Sequence, residues 1–383
     1  MKSILLIGGT GIISNQISAA LIKNGWDVSI LNRGKRKERI PQEANLIVAD
    51  VFAESAEKIR TKLKGKNFDV VIDFLSYSIV HLRKKLLFVT GKCTHFVFIS
   101  SATVYNNVDN TTNRYTEDSS TADVNWKYAT DKTECEDYLR HHAHEYSLNY
   151  TIIRPYITYD ETRIPLQVTS KQFYTMINRM VCGKAMPLFR ENVYTTLTSS
   201  KDFAIAISSV LSNEDAYGEA YHITGNCELT WKEVLIDVAA AFDVEADVAC
   251  LTDDSLNNKK LGRGLDISEY LYKGSSMLFD NTKIKALSPK FAGNLQFRDE
   301  LAGIVLHFSN PKNKVISYQW DARMDNILAH TKGVTKEQKK KLRISAYKHE
   351  LTKKEKWAYL SNRYDIIYSL YGFYNRLKKK FKK

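Results

Sequence analysis

The chain has 383 residues, 44% apolar and 26% charged, the proportions of a soluble globular protein with room for one large or two smaller cores. No run of 18 uncharged apolar residues exists, which argues against a membrane span. Five widely spaced cysteines without a CxxC argue against a disulfide frame or zinc site and predict reduced thiols in the cytoplasm. The net charge of +13 is unevenly spread: residues 1–332 hold 40 basic and 39 acidic side chains, and Gly333–Lys383 hold 16 Lys or Arg against 4 Asp or Glu.

Lys2–Ile7 is an apolar run of strand length that breaks into glycines. It is too short for a secretion signal and suits a buried parallel strand. The stretch Gly8-Gly9-Thr10-Gly11-Ile12-Ile13-Ser14 then opens a helix over Asn15–Asn24, with Ile17, Ala20 and Leu21 at helical period. Gly25 ends it, and Trp26–Leu31 is the second strand. Strands at Leu46–Val48, Val70–Phe74, Phe96–Ile99 and Tyr150–Ile153 alternate with helices at Ala53–Leu63, Val80–Val89 and Lys127–His141. Repeated βα units predict an α/β fold, a doubly wound parallel sheet of Rossmann type with right-handed crossovers.

After Arg154-Pro155 the regularity falls. Helices are expected near Lys171–Val181, Phe203–Leu211 and Trp231–Phe242, a strand at Ala220–Thr224, and a last helix of the body at Asp321–Leu328. The expected organisation is a dinucleotide-binding domain over 1–155, to which later segments can return, and a smaller mixed α/β substrate-binding part over 156–330. A basic amphipathic helical tail follows over 331–383.

Strand, glycine turn and helix in that order place a pyrophosphate on the helix N-terminus, with Gly8 making the turn and Gly11 admitting the backbone. Thr10, Ile12 and Ile13 belong to the same cradle, and Ser14 stands where a third glycine is common. Strand two ends Leu31-Asn32-Arg33, where an acidic residue would bond the ribose of NAD. Arg33 suits a 2′-phosphate through a charge-assisted contact, so NADP is the expected cofactor and NAD the second choice. Asp50-Val51, after strand three, has the position of an adenine-edge contact. Tyr128 and Lys132 stand at i and i+4 on one helix face, where the ammonium stabilises the phenolate and makes a proton-transfer group for alcohol–carbonyl chemistry. The histidines His141, His142 and His144 read as a helix C-terminus favouring positive charge, with no metal.

Together these residues resemble the extended short-chain dehydrogenase/reductase superfamily, in particular its NAD-dependent epimerase/dehydratase branch, over about residues 1–310. GGTGIIS, Asp50-Val51, Asp73-Phe74-Leu75, SSATVY at strand five, Tyr128-Ala-Thr-Asp-Lys132 and Ile153-Arg154-Pro155 carry the resemblance. It implies that Tyr128 is the acid/base, and that Lys132 bonds the nicotinamide ribose while tuning Tyr128. By the same resemblance Ser101 bonds the reacting oxygen with Thr103 nearby, Phe74, Leu75 and Ser76 border the cofactor, and Pro155 and Tyr156 border the nicotinamide pocket. The Leu-Asn-Arg-Gly after strand two resembles atypical members, and Asn106 replaces the usual glycine after Val104-Tyr105.

The 4,6-dehydratases of this superfamily carry an Asp-Glu pair where this chain has Ala102-Thr103-Val104, so dehydration is disfavoured. The expected activity is an NAD(P)-dependent epimerase of a sugar nucleotide or related sugar, by hydride removal and return. An NADPH-dependent keto-sugar reductase and a non-catalytic RNA-binding member are the alternatives. In the tail, Trp357, Leu360, Tyr364, Ile367 and Tyr371 recur at helical spacing among lysines, as in a helix lying on an anionic membrane surface. Packing on the body or a sister subunit is the competing reading. The expected setting is cytoplasmic, at the inner membrane face, as a homodimer with a sugar substrate and without nucleic acid.

Overall fold

The computed structural model describes residues 1–105, 114–121, 126–211, 213–258 and 265–364. The first βα units are β1 (Ser3–Ile7), α1 (Ile12–Lys23), β2 (Asp27–Asn32), β3 (Asn45–Val48), α2 (Ala56–Lys62), β4 (Phe68–Asp73), α3 (Ile79–Val89), β5 (Cys93–Ile99), α4 (Lys127–His142) and β6 (Asn149–Pro155). Then come β7 (Thr158–Tyr159), α5 (Tyr174–Val181), β8 (Met186–Leu188), β9 (Tyr194–Ser199), α6 (Ser200–Val210), β10 (Ala220–Ile223), β11 (Cys227–Thr230), α7 (Trp231–Ala241) and β12 (Val248–Cys250). The remaining helices are α8 (Asp253–Asn257), α9 (Ile267–Tyr272), α10 (Thr282–Leu287), α11 (Phe297–Ser309), α12 (Tyr318–His330), α13 (Lys336–Lys341) and α14 (Lys353–Arg363).

Seven strands form one sheet in the order β10-β6-β5-β4-β1-β2-β3, every adjacent pair parallel. The pleat explains why these strands read as unbroken apolar runs. Ile4, Leu6, Val70, Ile72 and Val97 face one way, onto Ile17 and Leu21 of α1 and Phe203, Ile207 and Val210 of α6. Leu5, Ile7, Val71, Phe96 and Phe98 face the other, onto Leu82 and Leu86 of α3 and Cys135 and Leu139 of α4. Each fully buried side chain of this kind contributes about 2 kcal/mol.

The chain divides into two compact units. The first joins Met1–Asp160, Thr196–Glu228 and Met277–Asp299; the second joins Glu161–Thr195, Leu229–Ser276 and the described residues from Glu300 onward. The first unit thus takes back two later segments, bringing in α6, β10 and α10. β7, absent from the sequence reading, pairs with β9 through Thr158–Thr198 and Tyr159–Ser199.

In the second unit, β8 and β12 form a parallel pair, and α12 packs with α14 through Tyr318, Ala322, Leu351 and Tyr359. A buried ionic cluster underlies that packing. Arg179 and Lys184 each bridge Asp321 and Asp325, and the hydroxyls of Tyr347 and Tyr359 donate to the same two carboxylates. The two cations balance the two carboxylates, which is what allows four charges to be buried together. Through Tyr364 the basic segment from residue 331 is therefore part of this unit, not a free appendage. Trp357 and Tyr364 are exposed while Tyr359 is buried. Ile367 and Tyr371 lie outside the described residues.

Candidate active site

The sheet order turns back between β1 and β4, where Ile7 lies against Asp73. Such a switch point opens a crevice at the carboxyl ends of the strands. Gly8 and Gly9 leave β1 at φ of +123° and +77°, conformations that favour glycine. A Cβ on Gly9 would sit 2.5 Å from Cγ2 of Ile30, and one on Gly8 would sit 3.3 Å from Cβ of Phe74. The turn therefore packs directly on β2 and on the loop after β4, and the structure brings Gly8 together with Phe74 and Leu75.

Gly11 is the N-cap of α1, and its N–H donates to the hydroxyl of Ser14 at 2.8 Å. Ser14 is buried, so the third small position closes the turn with a hydroxyl. The first turn of this 12-residue helix holds no acidic side chain and no side-chain cap. Ile12 and Ile13 begin it, Thr10 precedes the N-cap, and an anionic pyrophosphate fits that donor set.

The residues after β2 and β3 divide in role. Asn32 donates from Nδ2 to the Gly8 carbonyl at 2.9 Å and accepts the Gly34 N–H at 2.7 Å, so its amide shapes the turn. Arg33 is exposed. Asp50 accepts the N–H groups of Phe52 and Ala53, which lower its carboxyl, with Arg33 and Lys35 adding attraction. Val51 is buried beneath it.

The loop after β4 carries Phe74, Leu75 and Ser76. Asp73 is fully buried; its Oδ1 accepts the Leu75 N–H at 2.8 Å and its Oδ2 accepts from the Ser76 hydroxyl. On α4, Lys132 is 2% exposed, and its ammonium donates to the carbonyls of Ser76 and Ile99, each at 2.7 Å. Burial pushes Lys132 down to about 8, against the charge of Asp73. Tyr128, one turn earlier, is half-buried, with its ring on Trp126 at 5.2 Å. After β5, Ser101 and Thr103 are buried, and Thr103 donates to the Ser101 hydroxyl from Oγ1 at 2.9 Å and from its N–H at 3.3 Å. A hydroxyl that accepts twice still has its own proton to donate. Pro155 closes β6 beside Ile223 of β10. Asn106 lies outside the described residues.

Behind this set runs a polar network that the sequence reading missed. Glu136, fully buried, accepts from the Ser100 hydroxyl at 2.6 Å and from Nη2 of Arg154 at 2.6 Å. Arg154 also donates to Tyr105 Oη at 3.0 Å, and Tyr105 meets Nδ1 of His222 at 3.0 Å. Glu136 sits four residues after Lys132, on the face already carrying Tyr128, which was the available signal. Gly9 was legible as one of a glycine pair, and Lys85 as a lysine inside the apolar stripe Leu82, Leu86, Val89 of α3.

The fold and this crevice are of the short-chain dehydrogenase/reductase type. A sequence profile of the NAD dependent epimerase/dehydratase family matches residues 4–224, and the chain belongs to that family. A curated relative, the chloroplast stem-loop binding protein of 41 kDa b from Arabidopsis thaliana, is 27% identical over 242 residues; the match spans 60% of each chain. Three solved structures share the fold. An epimerase from Methanothermobacter thermautotrophicus is 15% identical with a TM-score of 0.66, over 82% of this chain and 94% of that one. The dTDP-glucose 4,6-dehydratase of Bacillus anthracis, in complex with NAD, is 18% identical with a TM-score of 0.64, over 82% and 98%. The UDP-glucose 4-epimerase of Thermus thermophilus, also with NAD, is 18% identical with a TM-score of 0.63, over 81% and 99%.

Proposed function

We propose that the chain is an epimerase of a sugar nucleotide or related sugar, using a nicotinamide dinucleotide held by residues 8–13. The observation that carries this reading is the buried Lys132 ammonium, fixed at 2.7 Å by two main-chain carbonyls one helical turn from Tyr128. A nicotinamide held there would supply hydride removal from a carbinol carbon and its return. Tyr128 Oη takes the proton of the same hydroxyl and gives it back after the keto-sugar has turned its other face. In this reading Lys132 favours the phenolate form of Tyr128 and bonds the nicotinamide ribose. Ser101 donates to the reacting oxygen, and Thr103 orients Ser101. Ala102-Thr103-Val104 offers no carboxylate to remove a C5 proton, which argues against dehydration.

Arg33 favours the 2′-phosphate of NADP, while its attraction for Asp50 means that the phosphate would compete with a carboxylate. The NAD carried by the similar structures speaks for NAD. Titrating both dinucleotides against wild type and Arg33→Ala separates them. A preference for NAD that survives the substitution removes the NADP reading.

The cofactor content of purified protein tests the reaction class. A tightly retained, non-exchanging dinucleotide is expected of an epimerase; freely exchanging NADPH instead makes the chain a keto-sugar reductase. The name of the Arabidopsis relative supports RNA binding as a second reading. Filter binding at two salt concentrations tests it, because phosphate contacts weaken steeply with salt. Tight, specific RNA retention by wild type and by Tyr128→Phe alike would favour that reading over catalysis.

A further inference from the structure

Asp73 ends β4 in the crevice where β1 and β4 part, with no exposed surface. A carboxylate buried there needs donors and a counter-charge to stay ionised. Its donors are Leu75 N–H and Ser76 Oγ, and both residues pass the link onward through their carbonyls. Ser76 receives Lys132 Nζ at 2.7 Å, and Leu75 receives Lys85 Nζ at 3.1 Å. The loop is thus held by a carboxylate at one end and by two buried ammonium groups, from α4 and α3, at the other.

Glu136 and Cys135 also face Lys132 and favour its charged form, but less than Asp73 does. Glu136 on its own helix is bound by Arg154 and Arg140. Burial pushes the Cys135 thiol up to about 12, which leaves it neutral. Lys85 is a like charge, itself lowered by burial and supported by Asp73. The rings of Phe98 and Tyr77, 4.8 and 5.4 Å from Nζ, add only their quadrupoles.

We propose that Asp73 is the positioning residue of the Tyr128–Lys132 pair: through Ser76 it fixes the carbonyl that receives the Lys132 ammonium, and it supplies that ammonium's counter-charge. This rests on Tyr128 and Lys132 being the proton-transfer pair, and its test needs no turnover. With Asp73 ionised, Lys132 stays a cation near neutral pH and can hold the Tyr128 phenolate. With a neutral amide in its place, the Lys132 proton is lost closer to neutrality.

The experiment is an NMR titration of the full chain carrying lysine labelled with carbon-13 at Cε, with the Lys132 signal assigned by its loss in Lys132→Arg. Wild type is expected to titrate at Lys132 near pH 8, as its burial and neighbours dictate. Asp73→Asn keeps an acceptor for Leu75 N–H and is expected to lower the midpoint by about one pH unit, a tenfold change in proton affinity. Lys85→Met removes a like charge and is expected to raise it, which provides a test should Asp73→Asn fail to fold. A Lys132 midpoint that stays put in either variant, or moves the opposite way, overturns the proposal. Loss of turnover in Tyr128→Phe, measured separately, bears on the pair itself. A Tyr128→Phe enzyme with full turnover would sink the catalytic reading while leaving the titration result intact.

Discussion

Gly9 offers a sharp test of the turn, because Gly25 supplies its control. The two have nearly equal φ, +77° and +76°, but a Cβ on Gly25 meets nothing within 4 Å. Gly25→Ala therefore carries only the cost of an L-residue in left-handed backbone, about 1–2 kcal/mol. Gly9→Ala carries the same cost and drives its methyl to 2.5 Å from Cγ2, 3.1 Å from Cγ1 and 3.3 Å from Cβ of Ile30. Ile30 is fully buried in β2 among Ile4, Leu6 and Val28 and has no room to retreat, so overpacking adds about 1–3 kcal/mol. Urea unfolding of the three proteins should place Gly9→Ala below Gly25→Ala by that margin. Ile30→Ala in the Gly9→Ala background should cost less than the two single changes added together. The Gly8 carbonyl that Asn32 holds would shift with the turn, so calorimetry should also show weakened dinucleotide binding in Gly9→Ala alone. Equal destabilisation by the two alanines, with additive costs in the double variant, would refute the packing argument.

Tyr128→Phe should lower turnover about 10²–10⁴-fold while dinucleotide affinity, read by fluorescence titration, stays near wild type, because only the proton path is removed. His95 and His222 are both buried and lowered to about 4 by desolvation, and His95 meets the Thr151 hydroxyl at 2.8 Å. Their folded values lie below the unfolded one, so each contributes its stability in full above pH 6.5. Each loses roughly 3 kcal/mol as pH falls from there through 4. His222→Asn should flatten that loss when unfolding midpoints at pH 7 and pH 4.5 are compared, and an unchanged pH dependence would contradict it. The membrane reading of the basic segment predicts salt-sensitive co-sedimentation with anionic vesicles and none with neutral ones. Its truncation belongs after Tyr364, since cutting at Gly333 strips Tyr347 and Tyr359 from two buried carboxylates; a protein ending at 364 that still sediments would remove the final residues from the interaction.

The sheet was legible because strands covered on both faces must be apolar throughout, and helices between them must show a 3.6-residue stripe; both are local patterns. The glycine turn and the Tyr128–Lys132 pair were legible for the same reason, each being fixed within seven residues. What gives Lys132 its character is not local. Its two acceptors, Ser76 and Ile99, are 56 and 33 residues away in sequence, and its counter-charge comes from the end of β4. The return of 196–228 and 277–299 to the first unit was invisible in detail, since a strand such as Ala220–Ile223 says it will pair and not with what. The basic segment shows the limit most sharply. Trp357, Leu360 and Tyr364 share a helical period that reads as a face awaiting a membrane, yet the residue that buries is Tyr359, drawn inward by Asp325 and by Lys184, whose Nζ lies 4.8 Å from its ring centroid. Asp321, Asp325, Arg179 and Lys184 each look like solvated charges when read singly. Only their mutual neutralisation makes burial affordable, and that requires α5 and α12, some 140 residues apart, to meet. A periodicity argument sees which residues could form a face, whereas the face that is used depends on which charges must be covered.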